Sequence, residues 1–172
     1  MANQSRKELN RKRIIIHWTA GTLQPNNTDF QHYHYLVNGD GLVIKGKYTP
    51  EDNKICTDNK YAAHTGGGNT GSIGVALCGM CGFTNKNKVG KYPLTKIQCE
   101  AAFKLVAEIA KEYGLEITPQ TVLTHYEFGV KNPKTSSHGK IDIVYLPSYP
   151  HVTQSEVGNF IRSKVRWYRT KI

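Results

Sequence analysis

The clearest signal along the chain is a run of three isoleucines, Ile14, Ile15 and Ile16, that leads from Arg13 into His17 and Trp18 before Gly21 and Pro25 interrupt it. A short unbroken apolar run bounded by turn residues marks a strand covered on both faces, so residues 13–17 are predicted to form one, with His17 at its end. Residues 33–37 read as a second strand. Asn38, Gly39, Asp40 and Gly41 then supply the left-handed backbone positions of a tight turn into Leu42, Val43 and Ile44, which makes a hairpin. A further strand, residues 72–77, follows the glycine-rich loop 66–71. Beyond it the period changes. Thr95 and Gln98 form a capping box, and Ile97, Ala101, Leu105 and Ile109 recur at helical spacing up to Gly114. Val122 and Leu123 predict a short strand delivering His125. Thr153 with Glu156 predicts the cap of a last helix that buries Val157, Phe160, Ile161 and Val165. Strands and helices in this order predict an α/β chain with a central mixed β-sheet flanked by α-helices.

No linker or internal repeat interrupts these patterns over the 172 residues. A chain of that size can bury roughly 70% of its unfolded surface around one core, so residues 1–172 are expected to form a single domain. The polar, basic residues 1–13 lead into an apolar run too brief for a signal segment or a membrane span, and a cytoplasmic product without a signal peptide is expected. The four cysteines then read as reduced thiols. Cys78 and Cys81 form a C-x-x-C that could be a redox or zinc half-site, but no second copy accompanies it, and packing or chance is favoured. Lysine and arginine outnumber acidic residues 23 to 13, a net charge of +10, which points to a polyanionic partner or an anionic surface. The excess gathers in Arg6, Lys7, Arg11, Lys12 and Arg13 and again in Arg162, Lys164, Arg166, Arg169 and Lys171; solvated helix faces explain it equally well. No nucleic-acid-binding motif accompanies the charge, and nucleic acid is not an expected partner.

Among seven histidines, His17 and His125 stand apart because each closes an apolar strand-like run. Either one alone is more often a hydrogen-bonded structural residue. Lys140 and Asp142 lie two residues apart, so an extended backbone sends both side chains to one face; a surface ion pair worth about 0–1 kcal/mol is the other reading. Two imidazoles and one carboxylate leave a fourth tetrahedral position open, the arrangement of catalytic zinc. Water at such a position ionises near neutrality, and a nearby lysine can stabilise an oxyanion. Two other patterns fail on context. Gly66, Gly68 and Gly71 satisfy G-x-G-x-x-G but lead into a strand instead of a helix. His125-Tyr126-Glu127 matches the H-x-E of zinc deaminases without the P-C-x-x-C that should follow.

Five ordered blocks carry a family resemblance: His17-Trp18-Thr19-Ala20 after an apolar strand; Tyr33-His34-Tyr35-Leu36-Val37 with the turn 38–41; Ala63-His64 and Asn69 ahead of Ser72-Ile73-Gly74-Val75; Thr124-His125; and Lys140-x-Asp142. From about Ile14 to Pro147 the chain resembles the zinc-dependent N-acetylmuramoyl-L-alanine amidases, the type 2 group that includes phage lysozyme-like endolysins and peptidoglycan recognition proteins. The resemblance implies the mixed-sheet fold of that group, and hydrolysis of the amide between N-acetylmuramic acid and L-alanine in bacterial peptidoglycan. It implies a zinc ion (Zn2+) on His17, His125 and Asp142, help at the reacting carbonyl from Tyr33 and Lys140, and a substrate groove lined by His64 and Asn69. Tyr33 could instead be a core aromatic, and His64 a loop histidine bonded to a carbonyl. His32, His34, His138 and His151 receive no catalytic role. Such a basic chain fits a monomeric, bacteriolytic phage endolysin, made in the infected cytoplasm and acting on the cell wall after release. The C-terminal helix bearing Arg162, Lys164, Arg166, Trp167 and Arg169 is a candidate contact for anionic lipid or lipopolysaccharide. A non-catalytic peptidoglycan-binding module is the alternative. Two departures stand out: only residues 28–32 remain for the helix the family places before Tyr33, and residues 128–137 form a long polar stretch, expected to be a mobile loop.

Overall fold

The computed structural model describes residues 13–172, so the basic residues Arg6, Lys7, Arg11 and Lys12 lie outside the described part. The strands are β1 (Arg13–Trp18), β2 (Tyr35–Val37), β3 (Val43–Lys45), β4 (Ser72–Leu77) and β5 (Val122–Thr124). The helices are α1 (Asn27–His32), α2 (Lys96–Glu112), α3 (His125–Lys131) and α4 (Val157–Arg169). The strands form one five-stranded sheet in the order β3-β2-β4-β1-β5. β1 runs parallel to β4 and β5, β2 is parallel to β4, and the β2–β3 hairpin is antiparallel, which makes the sheet mixed, as the element order predicts.

Strand alternation sorts the side chains onto two faces. Ile14, Ile16 and Trp18 of β1 and Ile73, Val75 and Leu77 of β4 enter the main core with α2 and α4. Ile15 goes to the other face, with Leu123 and Phe128, and His17 shares that side. Because both faces of β1 are covered, its sequence reads as a continuous apolar run rather than an alternating one. The parallel pairing of β1 with both β4 and β5 needs a crossover, and α2 supplies it.

The cap of α2 forms as the sequence predicts: the Thr95 hydroxyl accepts from the Gln98 amide at 3.1 Å, and the Gln98 side chain accepts from the Thr95 amide. Gln98 also donates to the carbonyls of Val37 (2.9 Å) and Cys78 (2.7 Å), tying the helix to the ends of β2 and β4. The buried stripe matches the expected one at Leu105 and Ile109 and departs from it at Ile97. Ile97 is 63% exposed, and the packed face is Cys99, Ala102, Phe103, Val106, Ile109 and Ala110, where small residues let the helix approach the sheet.

Three other boundaries move. Tyr33 is not in a strand: it is the C-cap of α1, a six-residue helix with an Asn26–Asp29 capping box, and β2 begins at Tyr35. Thr153 does not cap α4. It forms a turn in which its carbonyl accepts from the Glu156 amide at 2.9 Å, and the helix starts at Val157 with no side-chain cap. The stretch 128–137 begins inside α3, and it buries Phe128 at 4% and Ser137 at 0% exposure. All four cysteines are free; Cys78 is buried and Cys81 exposed. Among the described residues no helix is long and apolar enough to cross a membrane.

Candidate metal centre

His17 is the penultimate residue of β1 and stands on the sheet face away from α2. The parallel register of Ile16 with Thr124 brings the end of β5 alongside. The strand stops at Thr124, one residue before His125, because Thr124 is already a helix cap: its hydroxyl accepts from the Glu127 amide (3.1 Å), while the Glu127 carboxylate accepts from the Thr124 amide (3.0 Å). His125 is therefore the first residue of α3. Asp142 arrives from a third direction. Its carbonyl accepts from the Tyr126 amide at 2.7 Å, and the following Ile143, Val144 and Leu146 are buried in the main core.

These three elements bring three donor atoms together. Nδ1 of His17 lies 3.1 Å from Nδ1 of His125, and Oδ2 of Asp142 is 2.9 Å from the first and 3.1 Å from the second. The residues are 1%, 5% and 8% exposed. Ligands about 2.0–2.1 Å from a tetrahedral ion stand about 3.3 Å from one another, so this triangle has the dimensions of a three-ligand cage.

The outer ring nitrogens fix the protonation. The Ser137 hydroxyl donates to the Gly66 carbonyl at 2.7 Å, which leaves it to accept from Nε2–H of His125 at 2.9 Å. Nε2 of His64 faces the Ser72 carbonyl at 3.4 Å and donates there, so Nδ1 of His64 accepts from Nε2–H of His17 at 3.1 Å. The Thr65 hydroxyl lies 2.7 Å from that same Nδ1 and 3.3 Å from Nε2 of His17. With both protons pointing outward, two lone pairs and a carboxylate oxygen face one another. Three such acceptors packed at about 3 Å suit a cation between them.

Electrostatics agrees with this assignment. Burial lowers the His17 pKa to about 4 against the opposing pull of Asp142, and it lowers His64 well below the usual imidazole value, so both rings are neutral at neutral pH.

An open cleft of about 540 Å³ lies over the triangle, lined by Tyr33, His64, His125, Lys140 and Asp142 among others. The Tyr33 ring centroid is 5.2 Å from that of His17, and burial raises the phenol pKa far enough that the hydroxyl keeps its proton. Lys140 is exposed at the cleft. His64 both lines the cleft and braces His17 from behind. The Asn69 side chain turns to the backbone, accepting from the amides of His64 (3.0 Å) and Thr65 (2.8 Å), so it holds the loop that carries His64. An adjoining pocket of about 420 Å³ shares Phe83 and Ile141 with the cleft. His34 is structural, with Nε2 on Asn53 at 2.8 Å and Nδ1 accepting from the Gly74 amide at 2.9 Å.

Ser137 and Thr65 escape a reading of the sequence, since serine and threonine in polar loops carry no distinguishing pattern. The glycines offered a trace. A Cβ on Gly66 would lie 1.9 Å from the Ser136 hydroxyl, one on Gly68 2.4 Å from the Phe128 ring, and one on Gly129 2.1 Å from the Ser137 carbonyl. These glycines mark where the 66–71 loop and the 128–137 stretch touch. One residue of the basic C-terminal set departs from the expectation: Arg162 is 3% exposed and paired with Glu127 at 2.9 Å, so it offers no charge to a surface. Lys164 pairs with Glu100 at 3.1 Å, while Arg166 and Trp167 are exposed.

No curated protein sequence matches closely enough to count as a relative. Among solved structures, the fold is similar to AmiA of Staphylococcus aureus in complex with its ligand (16% identity, 93% of this chain and 73% of that one, TM-score 0.54). It is similar to AmiD of E. coli in complex with the substrate anhydro-N-acetylmuramic acid-L-Ala-D-gamma-Glu-L-Lys (19% identity, 90% and 57%, TM-score 0.52). It is also similar to PlyL (19% identity, 91% and 84%, TM-score 0.51). The family model for N-acetylmuramoyl-L-alanine amidase matches residues 8–141, ending one residue short of Asp142. A match over that much of the chain, on a sheet that carries the His17, His125 and Asp142 triangle at its edge, places the protein in the N-acetylmuramoyl-L-alanine amidase family.

Proposed function

We propose that the chain, acting as one catalytic domain over residues 1–172, hydrolyses the amide that joins the lactyl group of N-acetylmuramic acid to L-alanine in peptidoglycan. The reading includes a zinc ion held by Nδ1 of His17, Nδ1 of His125 and Oδ2 of Asp142. The observation that carries it is the buried triangle of three donors whose outward protons are already committed to His64 and Ser137. When bound, such an ion polarises a carbonyl and lowers the pKa of water to about 7.

The chain's own residues supply the rest. Asp142 contributes a negative charge and the histidines two neutral ligands. Lys140 brings an ammonium to the cleft, where it stabilises the oxyanion that develops on the substrate carbonyl as water attacks. Tyr33, kept protonated by burial, donates a hydrogen bond to the same oxygen. The departing amine takes its proton from the attacking water. His64, braced against His17 and exposed to the cleft at one edge, meets the substrate beside the ligand it holds.

The same reading makes the protein a bacteriolytic endolysin that reaches the wall after release and acts as a monomer. Exposed Arg166 and Trp167, with half-exposed Arg169, are the part of α4 available to anionic lipid or lipopolysaccharide. Replacing both arginines by serine is expected to weaken action on intact cells more than on purified wall; equal loss on both counts against this contact.

The deciding experiment incubates the purified protein with peptidoglycan, with and without a chelator, and identifies new end groups by mass spectrometry. Free L-alanine amino termini that form only with metal present are expected. Asp142→Ala should lose zinc and activity together, and a fully active, metal-free variant would refute the assignment. Binding to peptidoglycan with no new termini under any metal condition would favour a recognition module instead.

A further inference from the structure

The β5–α3 junction carries His125 and is held from outside by one side chain of the last helix. Arg162 is 3% exposed, and its guanidinium spans the junction. Nη1 donates to the Val122 carbonyl at 2.9 Å, three residues before His125, and to Oε1 of Glu127 at 3.0 Å, two residues after it. Nη2 donates to Oε2 of Glu127 at 2.9 Å and to Oδ1 of Asn159 at 2.8 Å. Glu127 is the same carboxylate that closes the capping box with Thr124. Val122 belongs to β5, an edge strand of the sheet, so among the described residues no further strand braces it on its open side.

Stability alone gives a weak reason for this arrangement. Replacing a buried ion pair by apolar side chains of similar size is often neutral or stabilising. Here the pair also leaves Nε of Arg162 buried without a hydrogen-bond partner among the described residues, a cost a purely stabilising contact need not carry. Gly158 adds to the case: a Cβ there would lie 2.3 Å from Oε2 of Glu127, so α4 approaches the carboxylate as closely as a side-chain-free backbone allows. A bidentate fork fixes position and orientation at once, which a single contact cannot do. A ligand triangle with edges of 2.9–3.1 Å tolerates little displacement of any corner.

We propose that Arg162 is a positioning residue for the metal ligand His125, gripping the strand before it and the helix after it so that the C-terminal helix sets the geometry of the ion site. Ser137 orients the imidazole; Arg162 orients the backbone that bears it. The inference rests on the metal-site reading above.

The test is zinc affinity measured by competition with a chromophoric chelator on the full chain, together with the visible absorption of the cobalt(II)-substituted protein. Arg162→Met is expected to weaken zinc binding by about 10–100-fold, the usual effect of removing support behind a ligand, and to alter the cobalt spectrum. Arg162→Lys, which keeps the charge but not the fork, recovers only part of the affinity. Val165→Ala, which removes a buried contact from the same helix without touching Glu127, lowers the melting temperature and leaves zinc affinity unchanged. Should Arg162→Met fail to fold, Glu127→Gln reports on the same clamp and is expected to weaken zinc binding. Wild-type zinc affinity in Arg162→Lys and Glu127→Gln overturns the proposal, as does a Val165→Ala variant that loses as much affinity as Arg162→Met. A wild-type chain that binds no zinc at all defeats the metal-site reading itself, whereas tight binding by wild type and clamp variants alike defeats only the clamp.

Discussion

The two faces of the sheet are both buried, yet they are built on opposite principles. On the face under α2 and α4, β1 and β4 present Ile14, Ile16, Trp18, Ile73, Val75 and Leu77. On the other, β4 presents Ser72, Gly74 and Ala76, and the space left at Gly74 is occupied by an imidazole: a Cβ there would sit 2.6 Å from Cγ of His64. Apolar burial is non-directional and worth about 25 cal/mol per Å², so the first face stabilises without dictating any one atom's place. A hydrogen bond adds only about 1 kcal/mol net, but leaving a buried partner unsatisfied costs about 1–3 kcal/mol, so the second face penalises every geometry except one. The chain thus separates its work, with adhesion on one side of a strand and precise placement on the other.

Adjacent residues of β4 put this contrast to its strongest test. Ile73→Ala should lower unfolding free energy by about 2–5 kcal/mol in urea titrations, while zinc affinity at 25 °C stays at the wild-type value. Gly74→Ala should lower stability by about 1–3 kcal/mol through overpacking, yet weaken zinc binding because His64 must move away from His17. If the two variants affect zinc equally, the faces are not independent. A finer probe is Ser137→Ala, which removes the acceptor for Nε2–H of His125. Zinc affinity should fall about 10–100-fold with little change in melting temperature, and an unchanged affinity would mean that the ring is oriented without its hydroxyl partner.

The smallest effect lies at the rim of the apolar layer. Burial raises the pKa of Glu100, but hydrogen bonds from Tyr149, Tyr168 and Lys164 outweigh it and leave the carboxyl below its ordinary value. A carboxylate depressed in the folded state contributes stability that is present above its unfolded pKa and lost as pH falls through the lower, folded one. The α2–α4 contact should therefore weaken only below about pH 4.5. The test is the unfolding free energy measured between pH 6 and pH 3 with a chelator present. Glu100→Gln should flatten part of the decline at the acid end, and an identical acid profile in wild type and variant would remove Glu100 from the account.

Local rules made much of the fold legible. The three isoleucines announce β1, the Asn38–Gly41 turn announces the hairpin, and Thr95 with Gln98 announces the start of α2, because each is decided by neighbours within a few residues. The start of α4 is not legible locally, since Thr153 and Glu156 satisfy the capping spacing but use it for a turn. Tyr33 reads as part of a strand, but an aromatic beside apolar residues suits a helix end equally well.

The amino-acid sequence by itself determined which residue types were available: two histidines at the ends of apolar runs, a carboxylate, a lysine and a basic C-terminal helix. Only the tertiary structure decided that His17 and Asp142, 125 positions apart, would approach to 2.9 Å. It also decided that Arg162 would be buried on Glu127 while Arg166, one turn further along the same helix, faces water. The reason is physical. Period and capping are written in contiguous residues, whereas the convergence of side chains depends on strand register and on which helix face finds a core. Two arginines of identical chemistry differ only in the direction that packing gives them.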